Sequence, residues 1–170
     1  MSMRPIDVAL ESLRYLSLTQ GVDAPTPAPT DSQIAEAQRL LGHPLPPSYL
    51  EFMNLGGMLL PPDWDLYWVG GPDLQRRNIV IANAVEREHP NCPLPDHLIA
   101  FFDDATGDEY CFDTREREAD AELADDDESG EYPVVLWDRE KDANQGEDEN
   151  LFVVGDTFTG WIKWYISEHF

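Results

Sequence analysis

Positive charge is scarce in this chain: 11 Lys and Arg stand against 34 Asp and Glu, for a formal net charge of -23 and a sequence pI near 4.1. Nucleic acid and anionic membrane surfaces both require a cationic footprint, so neither is expected as a direct partner. The same imbalance keeps a chain soluble and draws cationic partners towards it, at some cost in self-repulsion. Cysteine is nearly absent. Cys92 and Cys111 lie in unrelated contexts without CxxC or Cys/His clustering, which reads as a pair of reduced intracellular thiols. No run approaches the ~18 apolar residues of a membrane span, and Met1 to Leu18 is amphipathic with mixed charge rather than a continuous apolar leader. The expected location is the cytoplasm.

The signatures of catalysis are also missing. Gly56-Gly57 and Gly70-Gly71 belong to neither a GxxxxGK[ST] nor a GxGxxG phosphate loop. No serine sits in a GxSxG elbow, and neither cysteine has a histidine partner nearby in sequence. His43, His89, His97 and His169 are scattered, without HExxH or paired-ligand spacing, and the acidic runs lack the DxDxDG spacing of a calcium loop. Gly107-Asp108-Glu109 reads as a tight turn in which Gly and Asp serve backbone geometry. The expectation is a protein that is not an enzyme and carries no catalytic residues, metal or cofactor.

What the sequence does have is apolar and aromatic surface. Across 170 residues, 42% are hydrophobic and 11% aromatic, enough for one domain with a sizeable core. Ile6, Leu10, Leu13 and Leu16 recur at helical spacing and Gly21 follows them. Pro25, Pro27 and Pro29 then make an extended connector. Residues 1–30 are therefore read as an N-terminal helix, either docked on the domain or standing as an arm, with a Pro-rich connector, and 31–170 as the main domain. Thr30 to Gln33 forms a capping box ahead of a helix ended by Gly42, and Pro46-Pro47-Ser48-Tyr49 starts a second. Asp65 to Val69 reads as a strand, Leu74 to His89 as a helix, and Leu98–Phe102 with Glu109–Asp113 as a hairpin. Tyr132–Trp137 and Leu151–Val154 add two strands, and a closing helix follows an N-cap at Asp156. The expected fold class is α+β, a mostly antiparallel meander covered on one face by N-terminal and C-terminal helices, with the other face open for a partner.

Three segments taken together, LGHPLPPSYLEFMNLGG, LIAFFDDATGDEYCFDT and YPVVLWDRE, with the closing LFVVGDTFTGWIKWYISEHF, resemble the Smi1/Knr4 family of the SUKH superfamily from about Asp31 onward. The resemblance implies a small bacterial immunity protein that binds and neutralises a cognate toxin of interbacterial competition by stoichiometric inhibition. Fungal relatives act as regulatory scaffolds on endogenous partners, which is the alternative the resemblance leaves. It transfers no set of partner-binding residues.

Candidates for such a surface come from the residues themselves. The insertion from Glu116 to Glu131 carries Asp125, Asp126, Asp127, Glu128 and Glu131, and a second acidic stretch carries Asp142, Glu147, Asp148 and Glu149. Each is either a solvated loop or a mimic of substrate phosphates for a toxin with a basic cleft. The two are expected to converge at one end of the meander. Trp64 and Tyr67, next to Trp68, are candidate aromatic anchors on the open sheet face, with core packing as the alternative for at least two of the three.

Overall fold

Helical periodicity and turn chemistry account for most of the elements in the computed structural model, which describes residues 3–21, 26–55, 60–61, 64–70, 78–115, 130–140 and 151–170. Helix α1 (Pro5–Gln20) has proline in its first turn and buries Ile6, Ala9, Leu10, Leu13 and Leu16 on one stripe. It is not a free arm, because these residues belong to the same core as the rest of the chain. Burying each large apolar side chain is worth roughly 1.5–3 kcal/mol, far more than a solvated helix gains by standing apart.

Helix α2 (Asp31–Leu41) opens on the expected capping box: Gln33 N–H donates to Thr30 Oγ1 at 3.2 Å and Thr30 N–H to Gln33 Oε1 at 2.9 Å. It ends at Gly42, whose φ of 80° lies in the left-handed region that favours glycine. Helix α3 (Pro47–Leu55) is capped from a distance. Ser48 donates its N–H and its Oγ–H to the Glu131 carboxylate at 2.7 and 2.8 Å.

Strand β1 is short (Asp65–Leu66), and Trp68 continues it only as a single bridge to Asn78. Helix α4 (Ile79–Arg87) begins later than its apolar spacing predicts. Asn78 Oδ1 accepts the N–H groups of Val80 and Ile81, which makes Asn78 the cap rather than an interior residue. Strands β2 (Leu98–Asp103), β3 (Glu109–Asp113), β4 (Val134–Trp137) and β5 (Leu151–Gly155) follow. Helix α5 (Phe158–His169) closes the chain. Its cap is Thr157, which accepts from Gly160 N–H at 3.1 Å, one residue after the expected Asp156.

The strands form one antiparallel sheet in the order β1-β2-β3-β4-β5, the expected α+β meander with helices at both termini. Helix α5 lies on one face. A register shift between Ala100 and Phe102 lets two sequence neighbours reach the same indole, with Phe101 and Phe102 centroids 4.8 and 5.2 Å from that of Trp161. Phe101 also stacks on Phe112 at 4.2 Å.

The opposite face is not open along its middle. All five residues of β3 are buried, and alternation makes that possible only if both faces are covered. Helix α4 also closes the β2 edge where β1 has run out. The Asn83 amide exchanges two hydrogen bonds with Ala100, N–H to Oδ1 at 2.9 Å and Nδ2 to carbonyl at 2.8 Å, as a neighbouring strand would. Arg87 Nη2 donates to the Leu98 carbonyl at 3.2 Å.

Replacing Asn83 by the near-isosteric Leu leaves the Ala100 N–H and C=O buried without partners, at about 1–3 kcal/mol per group. Urea denaturation of Asn83→Leu is expected to show a loss of about 2–4 kcal/mol with an unchanged m-value.

Candidate docking surface

Strand register decides which charges meet. One row of paired residues crosses the whole sheet, Asp65 to Asp103 to Glu109 to Trp137 to Leu151. The β2–β3 turn and the end of β4 therefore open at the same end of the sheet. That end carries Asp103, Asp104, Asp108, Asp138 and Glu140. Three of these carboxylates also shape their own turns: Asp103 accepts from Ala105 N–H, Asp104 from Thr106 N–H and Oγ1–H, and Asp138 from Glu140 N–H. The charges are thus held in place rather than carried on free side chains. Burial, then the nearby Asp138 and Asp104, push the Asp108 carboxyl above its ordinary value.

Beneath this rim lies a buried carboxylate. Glu109 is fully buried and accepts from Tyr67 Oη–H at 2.8 and 2.9 Å and from Arg139 Nη2 at 2.8 Å. Arg139 is shared, because the same nitrogen contacts a Glu86 carboxylate oxygen from α4, and its guanidinium lies 5.5 Å from the Trp137 ring centroid. One cation cannot neutralise two carboxylates in a desolvated site. Burial raises Glu109 to about 8, with Asp103 and Glu86 pushing the same way and the Tyr67 hydrogen bond and Arg139 opposing. The Tyr67 hydroxyl, desolvated beside this carboxylate, is raised far above its ordinary range. The arrangement fastens β1 and α4 to the middle of the sheet. Among the described residues, no three His, Cys, Asp or Glu side chains converge in a way that would hold a metal ion, and no helix is long and apolar enough to cross a membrane.

The residues picked from sequence are dispersed by this geometry. Trp64 and Tyr67 are 4% and 6% exposed, and Trp68 is buried with them. They are core residues, not surface anchors. Trp64 packs edge-on against Phe102 and Tyr165 at 5.8 and 5.4 Å, and Tyr67 turns its hydroxyl inward to Glu109. Glu131 is engaged in capping α3. Asp125, Asp126, Asp127, Glu128, Asp142, Glu147, Asp148 and Glu149 lie outside the described residues. The segments that carry them nevertheless leave the sheet at opposite ends. The first departs after Asp113, opposite Leu98, and the second after the end of β4, on the acidic row. Consecutive connections of a meander alternate ends, so the two segments do not start from the same end of the sheet, as the sequence reading expected them to.

Sequence reasoning missed Glu109, whose partners Tyr67 and Arg139 are 42 and 30 residues away. The available signal was the alternation of β3, which puts Glu109, Cys111 and Asp113 on the face opposite Tyr110 and Phe112. Both cysteines are buried and unpaired with one another, as expected.

The described residues thus form an α+β meander with a clustered acidic rim at one end and an enclosed polar centre. The chain belongs to the SMI1 / KNR4 family (SUKH-1), whose model matches residues 28–164. Comparison with curated proteins returns no match.

Glu109 gives the fold a pH signature. Its carboxyl titrates near 8 when folded and near 4.5 when not, so between these values the folded state holds the extra proton and stability falls as pH rises, levelling off above about 8. Glu109→Gln removes that term. Chemical denaturation from pH 5 to 9 is expected to show the wild type losing stability relative to the variant across this window, and parallel curves would refute the assignment.

Proposed function

We propose that this chain is an immunity protein, which binds a cognate secreted toxin and neutralises it by stoichiometric inhibition rather than by catalysis, inside the cell that makes it. The observation that carries the reading is the acidic row at one end of a sheet in a SUKH-1 domain. Family membership supports a partner protein, and a rim of fixed carboxylates suits a partner with a basic cleft. Charge complementarity of that kind acts mainly on association rate and orientation. Nothing about the rim calls for a cofactor.

Co-expression with the toxin encoded by the adjacent upstream reading frame is the direct test: rescued growth and a 1:1 complex are expected, and a toxin that neither binds nor is silenced removes the reading. The two acidic segments are then separable. Neutralising Glu147, Asp148 and Glu149 to their amides removes charge from the segment that precedes Leu151 in the sequence, and stopped-flow association is expected to slow on the order of tenfold with a flatter salt dependence. Neutralising Asp125, Asp126 and Asp127, on the segment leaving the other end, is expected to change the rate less than twofold.

A further inference from the structure

Helix α1 carries two apolar stripes. Ile6, Ala9, Leu10, Leu13 and Leu16 enter the core. Val8, Tyr15 and Leu18, with Glu11 among them, recur at the 3-4-3 spacing of a helix–helix seam along another side. A helix that docks on one face alone keeps its outer face polar, yet Tyr15 and Leu18 are 69% and 84% exposed. The side chains of Glu11, Arg14 and Tyr15 take part in no hydrogen bond or ion pair among the described residues. Beside the seam, α1 and the end of α5 form an open groove of about 520 Å³ lined mainly by Met3, Val8, Tyr15, Leu16, Ile166 and Phe170. Every one of these residues lies outside the stretch that the family model matches.

Charge sets these two helices apart from the rest of the chain. Arg4 and Arg14 balance Asp7 and Glu11, and Lys163 balances Glu168, so residues 3–21 and 158–170 sum to zero and the net charge of -23 belongs to the other residues. A cationic partner finds no excess of carboxylate on α1 and α5 themselves. A surface like their own, apolar with one carboxylate beside one guanidinium, does match. Antiparallel approach about a two-fold axis beside residue 13 sets Val8 against the second copy's Leu18. It also sets Glu11 against the second copy's Tyr15, with the second copy's Arg14 next to it. Tyr15 projects at the rim of the groove, so each copy presents a knob and a hole on the same face, which a two-fold pairing fills together. Repulsion between acidic residues more distant than about 8 Å is screened at physiological salt.

We propose that the outer face of α1, with the groove it forms against α5, is a two-fold interface for a second copy of this chain. Val8, Tyr15 and Leu18 supply the apolar contact, and the Glu11 and Arg14 side chains gain the partners they lack within one copy. The interface uses no residue of the acidic row, so each copy keeps its own rim. The inference does not depend on the immunity reading.

The test is sedimentation velocity of the full chain from about 1 to 500 µM in about 0.15 M salt. It is run on the wild type, on Tyr15→Gln and Leu18→Gln, and on Val85→Gln, which alters another exposed apolar residue, on α4. The wild type is expected to show a concentration-dependent dimer. Tyr15→Gln and Leu18→Gln are each expected to weaken it at least tenfold with a melting temperature near wild type, and Val85→Gln to change it less than twofold. Should one α1 variant melt well below wild type, the other decides. A wild-type chain that stays monomeric across the range overturns the inference, in favour of a partner protein on this face if Tyr15→Gln also weakens the complex with the toxin. A dimer that both α1 variants leave unchanged overturns it as well, as does one that Val85→Gln abolishes.

Discussion

Trp161 of α5 lies against Phe101 and Phe102 at once, and the rest of the structure depends on that contact. Two consecutive strand residues point to opposite faces in a regular strand, so both can meet one indole only because the β2–β3 pairing slips between Ala100 and Phe102. The slip sets the register beyond it, with Asp103 opposite Glu109. Restoring a regular pairing would send one of the two phenylalanines away from α5. The aromatic packing of one face therefore determines where the charges of the sheet end are placed.

That placement concentrates like charge around a single cation. Arg139 bridges Glu109 and Glu86 below a rim of aspartates, so the electrostatic cost of the site is met partly by a proton on Glu109 and partly by backbone donors in the turns. Hydrogen bonds that shape turns do not cancel the charge that faces solvent. Asp103, Asp104 and Asp138 accept locally while still adding to the field seen by an approaching protein.

Local chemistry was readable in the sequence and distant partnership was not. The stripe of α1, the capping box of α2, the β2–β3 hairpin and the buried face of α5 all follow from spacing within about a dozen residues. Errors of one residue or one turn arose where neighbours compete for the same role. Asp156 and Thr157 are both good caps, and Asn78 suits a cap better than the helix surface its spacing offered. Trp64 and Tyr67 were misplaced because β1 is only two residues long, too short to impose alternation on the aromatics around it. The buried role of Glu109 lay outside any local window. Its neighbour Asp108 does sit in the turn, and the hydrogen bonds from Tyr67 and Arg139 exist only in the folded chain. The opposite departure of the two acidic segments needed only the topology of a meander.

The family match and the folding unit have different limits. The match spans residues 28–164, yet Ile6, Leu10, Leu13 and Leu16 of α1 are buried in the same core as the sheet, and Tyr165 stacks on Trp161 just beyond the match. The core thus extends beyond the matched residues at both ends. Helix α1 has become part of the wall behind α5, so sequence change at the start of this chain is constrained by the interior of the domain and not only by whatever the protein meets outside it.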